Sequence, residues 1–126
     1  MEMIIGGAFQ GKGDYAKEEH PDITWQKGEN LDAEGVLRAE GILNFQEFIR
    51  GELKAGHDVS ELAEKIIKYN PGVILVCQEV GYGVVPVDAF DRAFREAVGR
   101  VCTKLAAGSV KVTRVVCGIG MVIKGA

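Results

Sequence analysis

Blocks of apolar and polar positions alternate along this chain in a way that predicts strands and helices in turn. Residues 1–5 form a short, largely apolar run that indicates a buried first strand. Residues 73–77 are continuously apolar, and residues 112–117 form a second run of this kind; such runs are typical of strands covered on both faces. Because helical patterns lie between these runs, we predict an α/β fold, a mostly parallel sheet with helical crossovers.

Three segments carry the apolar spacing of amphipathic helices. Residues 42–54 place apolar side chains on one helix face, and Gly56 is suited to end that helix. Asp58 or Ser60 is expected to cap a second helix, whose apolar stripe runs over residues 62–69 and stops at Asn-Pro-Gly. A long helix is predicted over residues 88–105.

The stretch between the first strand and the helix predicted over residues 42–54 gives a weaker pattern. After a break at Pro21, residues 23–25 are a candidate short strand, and residues 27–30 are a polar turn. Residues 36–39 are a second, weaker strand candidate. The sequence leaves open whether residues 23–25 supply a strand of the sheet or the sheet lacks that strand.

Length and charge limit the classes of protein to consider. A chain of 126 residues supports one domain, residues 1–126, with a substantial core. The net charge of -3 gives no electrostatic footprint for nucleic acid, and we find neither a membrane-spanning stretch nor a secretory leader. We therefore expect no nucleic-acid or membrane partner.

Three cysteines, Cys77, Cys102 and Cys117, are odd in number and show no C-x-x-C spacing. Two lie in predicted strands and one in a predicted helix. This usage predicts buried, structural thiols in a protein of the reducing cytoplasm.

The sequence after the first strand carries most of a phosphate-binding loop. The pattern G-x-x-x-x-G-K-(S/T) is met at Gly6, Gly11 and Lys12 and broken at Gly13, which lacks the hydroxyl that would hold Mg²⁺. Residues 14–19 are suited to form a helix, whose first N–H groups and dipole attract anions. The candidate nucleotide-binding residues are Gly6, Gly7, Ala8, Phe9, Gln10, Gly11, Lys12 and Gly13. The alternative is a Gly-rich turn between a strand and a helix.

Two residues of this segment are less expected in a phosphate site. Phe9 is an aromatic residue that would narrow the loop. Asp14 would repel phosphate at close range because like charges repel.

A second candidate site follows the strand predicted over residues 73–77. Glu79 lies at its carboxyl end, where ligands bind in open α/β sheets, and its carboxylate is suited to orient Mg²⁺ or a substrate hydroxyl, or to act as a base. The alternative is a strand-end turn with a solvated Glu. Lys12 and Glu79 are thus the candidate catalytic residues, and Gly81, Gly83 and Pro86 are candidate substrate-binding or loop residues.

Four segments together resemble the bifunctional adenosylcobinamide kinase/adenosylcobinamide-phosphate guanylyltransferase family. Residues 78–86 are similar to its N-E-V-G-x-G-(I/V)-V-P signature, and residues 94–106 to its F-R-(D/E)-x-x-G-x-x-N-x-x-L-A helix. Residues 115–120 resemble its V-V-(S/A/C)-G-I-(P/G) ending, and residues 6–13 its G-G-A-R-S-G-K-S loop. The resemblance implies a P-loop NTPase-like fold of the RecA type, reduced in size, with GTP or ATP as nucleotide, a corrinoid substrate and a homotrimer.

The chain departs from this family where the chemistry depends on particular residues. It is shorter between the phosphate loop and about position 25, where the family has a strand and a helix with the His that becomes guanylylated. Neither His20 nor His57 matches that helix, so guanylyl transfer by the family's route is not expected. Cys102 and Gln78 stand where the family has Asn, and the acidic residue expected at the next strand end is Glu40.

Two classes of function remain open. The first is an enzyme of corrinoid salvage or cobalamin biosynthesis that retains at most the kinase half-reaction, with Lys12 on the phosphates and Glu79 placing weakened Mg²⁺ or a substrate hydroxyl. The second is a non-catalytic relative that binds a nucleotide or another ligand and acts as a structural or interaction subunit. The loss of the Mg²⁺ ligand favours the second class, and the intact carboxyl-terminal half favours a retained fold and homo-oligomer.

Overall fold

A six-stranded sheet with helices on both faces makes up the described residues, 1–80 and 88–125, of this computed structural model. The strands are β1 (Glu2–Gly6), β2 (Trp25–Lys27), β3 (Gly41–Leu43), β4 (Ile74–Gln78), β5 (Lys111–Val116) and β6 (Ile119–Lys124). The helices are α1 (Lys12–Glu19), α2 (Phe45–Lys54), α3 (Leu62–Tyr69) and α4 (Ala89–Gly108). The strand order is β2-β3-β4-β1-β5-β6, in which β1 to β5 are parallel and β6 is antiparallel to β5. The predicted mostly parallel sheet with helical crossovers is confirmed.

Side chains of the central strands alternate between two cores. Met3 and Leu75 belong to a large core that the sheet forms with α2, α3 and α4. Ile4 and Val76 point to the other face, where they pack with Ala16 of α1 in a smaller core. Burial on both faces is the reason that β4 reads as an unbroken apolar run.

The elements with long, uniform patterns lie where the sequence predicts them. The strands predicted over residues 73–77 and 112–117 are β4 and β5, each displaced by one residue, and the long helix extends to Gly108. The side chain of Asp88 caps α4 by accepting the Asp91 N–H. Gly56, at φ 78°, follows the end of α2, as expected for a helix terminus. None of the described helices is long and apolar enough to cross a membrane.

The predictions for residues 23–39 are partly wrong. The short strand lies at Trp25–Lys27 rather than at residues 23–25, and it pairs with β3 at one edge of the sheet. Residues 36–39 are not a strand: Gly35–Leu37 is a single 3₁₀ turn. Its apolar pattern reflects burial of Val36 in the large core and not strand pairing.

The helix predicted over residues 42–54 is two elements. Ile42 and Leu43 lie in β3, and α2 begins only at Phe45. Asn44 separates them in the left-handed conformation, at φ 53°, which Asn tolerates better than most residues. Ile42 and Leu43 of the strand continue the apolar positions of the helix, so the periodicity alone did not separate the two elements.

The predicted cap of α3 is also wrong. Glu61 precedes the helix without a side-chain cap, whereas Asp58 accepts hydrogen bonds from the N–H and the hydroxyl of Ser60, both at 2.9 Å. In the stripe predicted for this helix, Ile67 and Tyr69 are exposed, and Ala63 and Ile66 are buried.

The thiols differ from one another in exposure. Cys77 is buried in β4 and Cys102 is partly buried on α4, which agrees with a structural setting. Cys117 is exposed in the turn between β5 and β6, at φ 51°, so the prediction that it lies in a buried strand is wrong.

Candidate phosphate-binding site

The predicted phosphate loop lies at the carboxyl end of β1, between β4 and β5. Gly6 ends the strand at a point where a side chain has no room, since a Cβ there would lie 2.7 Å from the Val115 carbonyl oxygen. Helix α1 begins at Lys12, two residues before the predicted start, after Gly11 in the left-handed conformation at φ 82°. Among the described residues no side chain caps this start, and the first N–H groups of a helix have no intrahelical partner and are available to an anion at the loop.

Gln10 fixes the loop to the turn between β5 and β6. Its side-chain Oε1 accepts the Cys117 N–H at 2.7 Å, and its carbonyl oxygen accepts the Gly118 N–H, also at 2.7 Å. Phe9 is fully exposed, at φ 60°, and the expectation that it narrows the loop is wrong.

Lys12 is a largely buried residue with a partly buried ammonium group. The residue is 8% exposed, and Nζ donates a hydrogen bond to the Gly7 carbonyl oxygen of the loop at 3.1 Å. Burial lowers the pKa of Lys12 below 10.5, and the Cys77 and Glu79 side chains act in the opposite direction. Within the described residues Lys12 takes part in no ion pair, so the loop is not collapsed onto a carboxylate.

Gly13 leaves open space where phosphate-loop proteins carry a hydroxyl, because in the described part of the chain no atom outside the adjacent helix backbone lies within 4 Å of a Cβ built there. A cavity of about 230 Å³ beside it is lined by Lys12, Asp14 and Asn44. Asn44 occupies the carboxyl end of β3, where an acidic residue was expected. Glu40 lies instead at the amino end of that strand, so the prediction that it supplies this carboxylate is wrong. Gly13 therefore supplies no hydroxyl for Mg²⁺ and Asn44 supplies no carboxylate, so Glu79, which follows β4, is the strand-end carboxylate that the described residues offer beside the loop.

Glu79 follows the end of β4 and lies beside the loop. Its N–H donates to the Gly6 carbonyl oxygen at 2.8 Å, and its carboxylate accepts Nε of Arg114 at 2.9 Å. The carboxylate side chain is 15% exposed. Glu79 is therefore a partly buried, oriented carboxylate and not the solvated Glu of the alternative reading.

A cavity of about 490 Å³ opens between the loop and α4, and we call it the arginine cavity. Its lining combines loop residues with three arginines and two acidic residues. The loop residues are Gly7, Ala8 and Gln10, the arginines are Arg50, Arg95 and Arg114, and the acidic residues are Glu79 and Asp91. Arg50 stacks over the Phe94 ring at 4.0 Å, and Arg95 pairs with Asp91 at 3.0 Å.

Sequence reasoning missed this arginine cluster. The three side chains come from α2, α4 and β5, and no local spacing links them. Arg95 alone lay within a segment that the resemblance singled out, residues 94–106.

Both histidines lie away from the loop. His20 Nε2 lies 3.2 Å from Oε1 of Glu2, at the amino end of β1, whereas the loop follows the carboxyl end. His57 follows α2 and pairs with Glu52 at 3.0 Å. Neither is placed at the carboxyl edge of the sheet.

The remaining candidates fall outside this description. Gly81, Gly83 and Pro86 lie among residues 81–87, outside the described residues. In the part of the chain that is described, no cluster of three or more His, Cys, Asp or Glu side chains is suited to hold a metal ion.

Comparison with known proteins supplies the family. The family model described as Cobinamide kinase / cobinamide phosphate guanyltransferase (CobU) matches residues 30–123, which include Glu79 and all three arginines but not the phosphate loop. The chain is similar to the bifunctional adenosylcobalamin biosynthesis proteins CobU of Salmonella typhimurium (strain LT2) and Escherichia coli (strain K12). Each is 50% identical over 52 residues, which is 41% of this chain and 29% of the relative. The aligned stretch therefore spans less than a third of the length of either relative. Because the family model covers most of the chain, the protein belongs to the cobinamide kinase / cobinamide phosphate guanyltransferase family.

Proposed function

We propose that this protein binds the phosphates of GTP or ATP in the Gly6–Gly13 loop and serves in cobalamin biosynthesis or salvage. The observation that carries the proposal is Lys12, a largely buried residue whose ammonium group donates to a loop carbonyl at the start of α1. A phosphate oxygen in place of that carbonyl would give the ammonium a full counter-charge, which burial makes valuable. The helix N–H groups would bind the same phosphate.

The arginine cavity supports the proposal that a second substrate binds next to the nucleotide. It joins the loop at Gly7 and holds three guanidinium groups against two carboxylates. Arginine recognises phosphate through paired N–H donors, so the cavity is suited to a phosphate or to the polar end of a corrinoid. Glu79, oriented by Arg114, would accept the hydrogen bond of the acceptor hydroxyl.

Guanylyl transfer through a covalent His is absent from this proposal. The two histidines of the sequence lie at His20 and His57, and neither reaches the phosphate loop. The kinase half-reaction is the activity that we assign.

A second candidate function is a non-catalytic, nucleotide-binding subunit of a homo-oligomer. It is favoured by a specific observation, the combination of Gly13 without a hydroxyl and Asn44 in place of a strand-end carboxylate. In this reading the loop binds phosphate for stability or assembly, and no phosphoryl group is transferred.

Turnover separates the two functions. Purified protein is incubated with adenosylcobinamide and GTP or ATP labelled at the γ-phosphate, alongside Lys12→Ala and the matched control Lys17→Ala on the same helix. Label transfer that Lys12→Ala abolishes and Lys17→Ala retains supports the kinase, whereas nucleotide binding without transfer supports the subunit. Covalent labelling of the protein by GTP labelled at the α-phosphate would contradict the loss of guanylyl transfer.

A further inference from the structure

Two thiols meet beneath the candidate site, between the sheet and α4. Cys77 at the end of β4 and Cys102 on α4 are both free, and their sulfur atoms lie 3.5 Å apart. Either thiol is able to donate a hydrogen bond to the other. Neither belongs to the phosphate loop or to the arginine cavity.

A neighbouring cavity of about 460 Å³, which shares Glu79 and Arg114 with the arginine cavity, reaches both sulfur-bearing residues. It lies between the sheet and α4, and its lining includes Cys77, Cys102, Thr103, Val112 and Ile123. Cys77 itself is 1% exposed, whereas Cys102 is partly exposed on its helix. A small oxidant that enters the cavity would therefore react at Cys102 first.

We propose that Cys77 and Cys102 are a redox-active pair that closes to an intramolecular disulfide when the protein meets a hydroperoxide. In the first step the Cys102 sulfur takes one oxygen from hydrogen peroxide, which gives a sulfenic acid and releases water. In the second step the Cys77 sulfur attacks the sulfenic sulfur, the S–S bond forms, and the sulfenic oxygen leaves as a second water together with the Cys77 proton. Two thiols are oxidised by two electrons in all, and a dithiol reductant reverses the reaction.

The geometry allows this bond with a small movement. An S–S bond is about 2.05 Å long, so the two sulfur atoms must approach by roughly 1.5 Å. The hydrogen bond to Cys102 and burial raise the pKa of the Cys77 thiol well above 9.0. Because a thiol reacts as its thiolate, this raised pKa disfavours Cys77 as the first of the two residues to react with the oxidant.

The bond would join β4 to α4 two residues before Glu79. It would close a loop between two residues that are 25 positions apart in the sequence, and closure of such a loop restricts the unfolded chain. The inference does not depend on the proposed nucleotide binding, because it concerns the thiols alone.

The test uses the whole chain with Cys117→Ser, which removes the exposed thiol and with it disulfides between copies. The protein is treated with hydrogen peroxide, unfolded, alkylated and digested. We expect a monomer-length chain lighter by two hydrogen atoms, with both thiols protected from alkylation and one peptide pair that links Cys77 to Cys102. Dithiothreitol should restore both thiols, and the oxidised form should unfold at a higher temperature than the reduced form.

A matched variant keeps the result interpretable. Cys117→Ser combined with Cys102→Ser should keep its Cys77 thiol open to alkylation after the same treatment, because its partner is gone. The proposal is overturned if Cys102 instead proceeds to the sulfinic acid while Cys77 stays alkylatable, or if neither thiol reacts. Loss of the Cys77 thiol in the Cys102→Ser variant would overturn it as well.

Discussion

At Lys12 an ammonium group occupies a position where burial makes its charge costly. The Lys12 residue is 8% exposed, burial lowers its pKa, and the hydrogen-bond acceptor of its ammonium group is a neutral carbonyl. Charged groups in such positions raise the free energy of the folded state unless a partner compensates. A bound phosphate would be that partner. The charge of Lys12 would therefore lower the stability of the ligand-free protein and at the same time favour ligand binding.

Lys12→Met should therefore stabilise the ligand-free protein while it abolishes nucleotide binding. We expect a gain of about 1 kcal/mol in the free energy of unfolding at neutral pH, measured by urea titration. Lys17→Met, on the exposed side of α1, should change neither quantity. A clear loss of stability in Lys12→Met would contradict the account of a costly buried charge.

The pH dependence of this gain has a defined sign. Because the folded-state pKa of Lys12 is lowered, the folded protein releases the proton before the unfolded chain does. Wild-type stability should thus rise, relative to Lys12→Met, as the pH increases from the lowered pKa up to 10.5. Urea titrations of both proteins across this alkaline range measure the difference between their free energies of unfolding, which should decrease as the pH rises.

Gly13→Ser should restore a hydroxyl at the start of α1 without a clash, since the position is open. We expect GTP or ATP to bind about fivefold tighter in the presence of Mg²⁺, equivalent to about 1 kcal/mol, and unchanged without it. The control is Gly51→Ser, also in a helix with open space, which shares the helix-propensity gain of about 0.5 kcal/mol but not the affinity gain. Equal affinity gains in the two variants would contradict the assigned role of this position.

At the scale of elements, the sequence was informative where one pattern ran long enough. The runs of β4 and β5 and the stripe of α4 each fill a whole element, and each was predicted to within a few residues. Strands β2 and β3 have three residues each, too few for a period-two pattern to show. Val36 read as a strand residue because burial, which the sequence signals, does not distinguish a strand from a buried turn.

Asn70 holds one of these unpredicted turns in place. Its Nδ2 donates to the carbonyl oxygens of Val36 and Ala39 at 3.1 and 2.9 Å, which ties the end of α3 to the segment before β3. Asn70→Ala should reduce the free energy of unfolding by about 2 kcal/mol, because two hydrogen bonds are lost. Asn30→Ala, at an exposed position, is the control and should cost less than about 0.5 kcal/mol. Equal losses in the two variants would contradict a specific role for Asn70.

At the scale of the whole molecule, the site is assembled from parts that lie far apart in the chain. The phosphate loop was recognisable because its residues are contiguous, and Glu79 because it follows a clear strand. The arginine cavity draws on α2, α4 and β5, and Asn44 came to the edge of the sheet only because β3 ends there. Such groupings depend on strand order, which periodicity does not encode.

The same scale raises the question of assembly. The edge strand β6 exposes Ile119, Met121 and Ile123, at 68%, 50% and 59%, and apolar edge strands favour pairing with other chains. We expect a homo-oligomer, a trimer by the family resemblance, in light scattering coupled to size exclusion. Ile119→Lys with Met121→Lys should yield monomers, whereas Tyr69→Lys on α3, also exposed, should not. A monomeric wild type, or an assembly that the β6 lysines leave unchanged, would contradict this expectation.

Calorimetric titration of GTP and of ATP into wild type, Lys12→Ala and Lys17→Ala tests the central claim most directly. The account predicts that at least one nucleotide binds the wild type and Lys17→Ala with similar affinity, and that Lys12→Ala does not bind it. Absence of binding to the wild type, or equal binding by Lys12→Ala, would contradict the claim that Gly6–Gly13 is a working phosphate loop.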